Sequence, residues 1–266
     1  MIKRPTDGKD YVLSLSYGKD SLACLGAIEK LGLPLSRIVH VEVWATKTIP
    51  AELPPMIEFK EKADKFIKER YGFEVEHITA ERERERFSYE DLFYTVKGKK
   101  STHPNTIYGF PMTLRPLCND RLKLKPMKEI NKNSEVVYLG IACDEEERLI
   151  KAKANEKFPL DLIGWTEKDA MNWCKENDLV SPIYENTNRG GCWFCHNQKI
   201  KELKYLRDNY PKYWDMLLKW DNDSPIPFKT DGHTVHDYDK RLKAEDLGLV
   251  PKDRRFRWKM LDTLDI

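Results

Sequence analysis

Tyr11-Val12-Leu13-Ser14-Leu15-Ser16-Tyr17-Gly18-Lys19-Asp20-Ser21-Leu22-Ala23-Cys24-Leu25 passes from one apolar stretch, through a polar turn, into a second of different period. Tyr11 to Leu15 is short and apolar, as a buried strand is. Leu22, Cys24, Leu25, Ile28 and Leu31 recur at three-and-four spacing, with Gly32 as a stop, as in a helix. Strand, loop and helix in that order set Ser16, Tyr17, Gly18, Lys19, Asp20 and Ser21 at a helix N-terminus, where backbone N–H groups and the helix dipole favour an anion. Gly18 admits close approach, Ser16 and Ser21 offer hydroxyls, and Lys19 adds a positive charge. The stretch fits neither G-x-x-x-x-G-K-S/T nor G-x-G-x-x-G. It nonetheless predicts a phosphate-bearing ligand outside the carboxyl end of the first strand.

The alternation continues outward. Arg37 to Trp44 reads as a second strand; after Pro50, Pro54 and Pro55 a helical pattern runs through Met56, Phe59, Ala63, Phe66 and Ile67 to Gly72. Phe73 to Ile78 and Val136 to Ile141 read as third and fourth strands. The expected fold is α/β, a doubly wound, mainly parallel sheet with right-handed crossovers. An insertion from Glu81 to Asn133 opens on alternating charges at Glu81 to Arg86, expected to be a solvated helix face, and goes on to a basic loop at Lys97, Lys99 and Lys100. Asp144 with Glu147, and Thr166 with Asp169, read as capping boxes. Beyond Gly190, the spacing of Tyr205, Tyr210, Tyr213, Trp214, Leu217 and Trp220 predicts helices. The expected division is a nucleotide-binding domain over 1–190 and, over 191–266, a CxxC segment with a helical C-terminal region packed on it.

The chain has 266 residues, and its 46 Lys and Arg against 44 Asp and Glu leave a formal charge of +2, which denies long-range attraction to nucleic acid or membrane. Such a partner must be met by a local patch. One is the tail Lys252, Arg254, Arg255, Arg257 and Lys259, with Phe256 and Trp258 interleaved; this mixture either grips phosphates and stacks bases or docks the tail on Glu245 and Asp246. The apolar run at Tyr11 is too short for a signal peptide, and no run reaches the about 18 apolar residues of a spanning helix. A cytoplasmic protein is expected.

Six cysteines remain to be sorted. Cys24 and Cys174 share helix faces with apolar residues and read as core. Cys192 and Cys195 form a single CxxC, with Cys143 and Cys118 as distant singles. A four-cysteine zinc ribbon wants a second CxxC. Three or four thiolates drawn this way fit an iron–sulfur cluster or an irregular zinc site, and the pair alone fits a redox dithiol activated by a helix starting after Asn197.

Several of these stretches resemble one family. Ser16-Tyr17-Gly18-Lys19-Asp20-Ser21 is similar to the PP-loop of the ATP pyrophosphatase and PAPS reductase superfamily. Cys118 with Leu122-Lys123 and Pro126, Gly140-Ile141-Ala142-Cys143-Asp144-Glu145 with Arg148, and Gly191-Cys192-Trp193-Phe194-Cys195 resemble segments of its PAPS-reductase-like branch. The resemblance covers about residues 10 to 200. It implies the PP-loop fold and an adenine nucleotide held by Ser16 to Ser21, with Asp144 and Glu145 on Mg²⁺ or the α-phosphate and Lys19, Lys123 and Arg148 neutralising charge. It further implies a [4Fe-4S] cluster on Cys118, Cys192 and Cys195, with Cys143 as fourth ligand, His196 as its competitor and zinc as the alternative metal.

The chain departs from the branch in three places. Its last cysteine is Cys195, so the C-terminal cysteine of thioredoxin-linked reductases is missing; Asn119 follows Cys118 where cluster-bearing reductases have a second cysteine; and Trp44-Ala45-Thr46 replaces Asp-Thr-Gly. The implied activity is ATP-dependent adenylation followed by sulfur transfer, with release of pyrophosphate and AMP, a possible sulfur-donor protein, and tRNA, DNA or a small molecule as acceptor. The alternatives are a sulfonucleotide reductase and a nucleotide-sensing module without turnover.

Overall fold

A computed structural model describes residues 2–110, 116–185 and 191–266. In chain order the elements begin with β1 (Tyr11–Ser14), α1 (Lys19–Leu31), β2 (Arg37–Glu42), α2 (Pro54–Tyr71), β3 (Val75–Thr79), β4 (Glu81–Arg82), β5 (Glu85–Arg86) and α3 (Tyr89–Phe93). Next come α4 (Leu117–Asn119), a π-helical turn (Asp120–Leu124), α5 (Lys125–Ile130), β6 (Val136–Tyr138), α6 (Glu146–Leu149), β7 (Glu156–Lys157), α7 (Pro159–Leu162) and α8 (Glu167–Glu176). A 3₁₀ turn (Pro182–Glu185), α9 (Ile200–Asn209), α10 (Pro211–Asp223), α11 (Val235–Asp246) and a last 3₁₀ turn (Trp258–Leu261) complete the chain. No helix among the described residues is long and apolar enough to cross a membrane.

The chain divides into two compact units, Met1–Ser88 with Asn119–Cys192, and Tyr89–Cys118 with Trp193–Ile266. The first holds a five-stranded sheet in the order β3-β2-β1-β6-β7, and every pair in it is parallel. Val12 and Leu13 of β1 are fully buried, as befits the middle of a sheet covered on both faces. The doubly wound α/β expectation therefore holds. Strand order reverses at β1, whose neighbours are β2 on one side and β6 on the other. In such sheets the crevice for a ligand opens beyond the carboxyl ends of the strands at that reversal. Helix α1 packs behind it against α8, so closely that a Cβ on Gly26 would stand 2.2 Å from the Trp173 indole nitrogen.

Two local expectations are corrected. The charges at Glu81 to Arg86 make an antiparallel hairpin, not a helix: Glu81 faces Arg86, Arg82 faces Glu85, and Glu83 and Arg84 turn the chain at φ of 55° and 67°. Opposite charges across two strands satisfy the alternation as well as a helix face would. Asp144 and Glu147 form no capping box, because Glu145 is the N-cap of α6 and caps nothing with its side chain. Asp144 instead accepts the Glu167 N–H at 3.1 Å, at the first turn of α8. The Thr166–Asp169 box forms as expected.

The second unit is built on rings. Trp193 stacks on Trp220 with centroids 5.5 Å apart and planes 9° apart, and Phe93, Phe110 and Phe228 are fully buried. Near the end of the chain Phe256 is buried under the Arg241 guanidinium at 3.8 Å, and Trp258 stacks on His233 at 3.7 Å. The rings of the basic tail are thus used internally. They do not dock it on Glu245 and Asp246, which pair with Arg241 and with Lys204 and Arg207.

Candidate functional site

The loop between β1 and α1 forms part of the wall of a cavity of about 360 Å³ in the first unit. Ser14 to Gly18 contribute one side, His40, Val41 and Val43 of the β2 end another, and Asn119, Lys123, Leu124 and Met127 a third. Ser181, Ile183, Tyr184, Gly191 and Cys192 also line it. Its walls mix apolar side chains with polar ones from several segments, His40, Glu52, Asn119, Lys123, Ser181 and Tyr184 as well as the serines of the loop.

Ser21 braces the loop from within. Its hydroxyl donates to the Gly18 carbonyl at 3.0 Å and accepts from the Ser16 N–H at 3.1 Å and the Ser16 hydroxyl at 3.0 Å. Gly18 is the N-cap of α1 and has no side chain to occupy the helix N-terminus. The Lys19 N–H donates to the Tyr184 hydroxyl at 3.3 Å. Tyr17, at φ 57°, carries the left-handed turn of the loop, while Gly18 has an ordinary φ of −75°. Tyr17 is among the cavity's lining residues, but it is buried and its hydroxyl donates to Asp64. Tyr17 therefore adds no side chain to an anion.

Lys19 does not line the cavity. Its ammonium lies 2.7 Å from Asp20 and 3.3 Å from Glu167. Burial works to lower its pKa; the hydrogen bond and charge of Asp20, with Glu167, outweigh burial and raise it. Carboxylate oxygens of Asp20, Glu145 and Glu167 all lie within 4.8 Å of one another, a donor set of the hard-cation type. Glu145 is held there by the Ala142 N–H at 3.1 Å and by Arg148 at 2.6 Å, so Arg148 is a partner of Glu145 outside the cavity lining.

Lys123 does reach the cavity, by a route the sequence pattern did not indicate. Asp120–Leu124 is a π turn, closed by the Lys125 N–H on the Asp120 carbonyl. Pro126 has no N–H to return to Leu122, and its ring crowds that carbonyl, so the widened turn is the local solution. Lys125, exposed like Lys123, is not among the cavity's lining residues and lies 3.9 Å from Glu129.

None of the six cysteines is in a disulfide. Cys24 and Cys174 are buried as expected: burial pushes both thiols up, Cys174 to about 12, and the Cys174 thiol donates to the Lys19 carbonyl at 3.3 Å. The other four are half-buried. Cys192 lines the cavity; Cys143 follows β6, its N–H on the Trp165 carbonyl at 3.0 Å; Cys118 lies in α4. Cys195 opens a turn whose Gln198 N–H returns to its carbonyl at 3.1 Å, and Lys229 donates to the His196 carbonyl at 2.6 Å. Burial brings Lys229 down to about 8. Helix α9 begins at Ile200 with Lys199 as its N-cap, after Asn197 as expected.

Behind the loop is a polar network with no sequence signature. The His77 imidazole lies 2.8 Å from Asp64 and 3.0 Å from Glu42, and those carboxylates, Asp64 first, raise its pKa to about 9. His40 bonds to the Leu15 carbonyl at 2.8 Å and to Lys60 at 2.8 Å; burial first, then the Lys60 charge, pushes it down to about 3.

No protein-family profile matches the chain, and no curated protein does. Among solved structures it is similar to the U34-tRNA thiolase NcsA from Methanococcus maripaludis with its [4Fe-4S] cluster, at 14% identity over 95% of this chain and 85% of that one, with a TM-score of 0.41. That distance leaves the activity to be read from the pocket's own residues.

Proposed function

We propose that the chain is an ATP-using enzyme that adenylates an acceptor and replaces the adenylate by sulfur. The observation that carries this reading is that a cationic side chain, Lys123, and a thiol, Cys192, line the same cavity as the loop at the α1 N-terminus. The loop N–H groups and the helix N-terminus would take the β- and γ-phosphates. Asp20, Glu145 and Glu167 have the oxygen donors that would hold Mg²⁺ in place of the Lys19 ammonium that Asp20 and Glu167 now pair with. An acceptor oxygen attacks the α-phosphorus and pyrophosphate leaves. A sulfur nucleophile then attacks the adenylated carbon and AMP departs. Lys123 offsets negative charge on the transferring phosphorus, and the apolar side chains of the wall exclude water.

From the pattern of the sequence, Cys118, Cys192 and Cys195 would hold a [4Fe-4S] cluster, with Cys143 as fourth ligand; cysteine thiolates are the donors such a group needs. When bound it would supply a site for the incoming sulfide. The acceptor is proposed to be tRNA, DNA or a small molecule, with the exposed Lys252, Arg254 and Lys259 of the tail as the basic residues a nucleic acid would meet.

The same cavity thiol favours one rival, a sulfonucleotide reductase in which the loop holds a phosphosulfate. The two separate cleanly. The protein purified without oxygen is expected to be brown, with about four irons per chain, and to form pyrophosphate and AMP from ATP when an acceptor RNA and sulfide are supplied. Sulfite released from PAPS without pyrophosphate would select the reductase. Tight ATP binding without product from any acceptor would select a sensing module.

A further inference from the structure

Five described non-glycine residues have positive φ: Tyr17, Glu83, Arg84, Asn105 and Asp178. The last four are exposed turn residues, whereas Tyr17 is 1% exposed. A residue with a Cβ adopts this conformation against its own sterics, and a ring at that position must be held by something outside the loop. The holding group comes from α2. The Tyr17 hydroxyl donates to one Asp64 carboxylate oxygen, and the other lies 2.8 Å from His77 Nε2. His77 Nε2 is also 3.1 Å from the Tyr17 hydroxyl, and its Nδ1 is 3.0 Å from Glu42. His40 meets the Tyr17 ring edge-on at 4.7 Å and ties the Leu15 carbonyl two residues earlier.

We propose that Asp64, oriented by His77 and Glu42, is a positioning residue for the nucleotide loop: through the Tyr17 hydroxyl it keeps residue 17 left-handed, and so keeps Ser16 and Gly18 on the cavity wall. Asp64 is not among the residues that line the cavity. The inference rests on the reading of that cavity as a nucleotide site. It assigns to α2 and β3 a part in binding that no residue of the loop motif carries.

The test is a double-mutant cycle on ATP affinity with Tyr17→Phe, Asp64→Asn and the pair, each checked for a wild-type melting profile. Phe keeps the ring and removes only the hydroxyl. Each single change is expected to weaken ATP by about tenfold, the scale of a lost hydrogen bond to a charged group, and the pair no further than either, since both break one tie. Lys123→Met added to Asp64→Asn should multiply instead. A rescue completes it: glycine takes positive φ without steric cost, so Tyr17→Gly in the Asp64→Asn background should recover affinity even as the melting temperature falls. Tyr17→Phe binding ATP as tightly as wild type, or losses in the pair that multiply, would overturn the tie. Wild-type protein that binds neither ATP nor PAPS would overturn the nucleotide reading itself.

Discussion

Gly140 meets Ser21 backbone to backbone: a Cβ on Gly140 would stand 2.5 Å from the Ser21 nitrogen and 2.7 Å from the Asp20 carbonyl carbon. The segment after β6 thus rests directly on the first turn of α1, and no flexible side chain can yield to an added methyl. Gly140→Ala is expected to destabilise the protein by about 1–3 kcal/mol, the range for overpacking, and to weaken ATP as the helix start shifts. Thermal melts and ATP titrations of the variant measure both; an unchanged melting temperature would mean that the contact is not made.

Gly26 is a second close approach, against a ring instead of a backbone. Gly26→Ala should cost about 1–3 kcal/mol, because Trp173 is buried and cannot swing away. Trp173→Leu in the same background removes the obstructing ring and should return part of the loss, read as a double-mutant coupling in chemical denaturation.

The two lysines flanking the end of the π turn should differ. Lys123→Ala is expected to raise the ATP dissociation constant by about 10- to 100-fold, the worth of a charge-assisted contact. Lys125→Ala, which removes only an exposed pair with Glu129, should stay within about twofold. A loss within about twofold for Lys123→Ala as well would place both side chains outside the site.

His77 gives a pH dependence whose sign is fixed. Its folded pKa is raised to about 9, above the ordinary 6.5, so its contribution is complete below pH 6.5 and is lost as pH rises through 9. Screening at this partly exposed site leaves about 1–2 kcal/mol of it. The charged and titratable groups around it are Asp64, Glu42, Tyr17, His40 and Lys60. Glu42, pushed down to about 2 mainly by its bond to His77, acts at the other end: its share is present above pH 4.5 and lost as pH falls through 2. Melting temperatures from pH 6 to 10 should fall between about pH 6.5 and 9 and level off above that in wild type, and not in His77→Gln; a parallel fall in the variant would remove His77 as the cause.

The sheet was legible because its signals are local. Apolar runs, helical spacing and glycine stops at Gly32 and Gly72, both left-handed in the structure, need no knowledge of distant residues. The loop at Ser16 to Ser21 was legible for the same reason. Tyr184, on the wall 165 residues from Lys19, and the Asp64–His77–Glu42 group were not, because their meeting is made by the fold and leaves no spacing. Lys19 read as a ligand of phosphate because a sequence cannot show that its neighbour Asp20 and the distant Glu167 already surround it. The alternating charges at Glu81 to Arg86 match a hairpin and a helix equally, and only their φ values decide. The π turn that carries Lys123 at the cavity was not read from the sequence, where Pro126 entered only as part of a family segment.

The rings around Trp220 are drawn from both sides of a long excursion of the chain, Tyr89 and Phe93 before it and Trp193 and Phe194 after it. A C-terminal piece that begins at Gly191 is therefore an unfinished module, missing rings that only the earlier segment can donate. Supplied in trans, 89–118 would be the natural complement of 193–266. A shortened protein that keeps one of these segments has to keep the other.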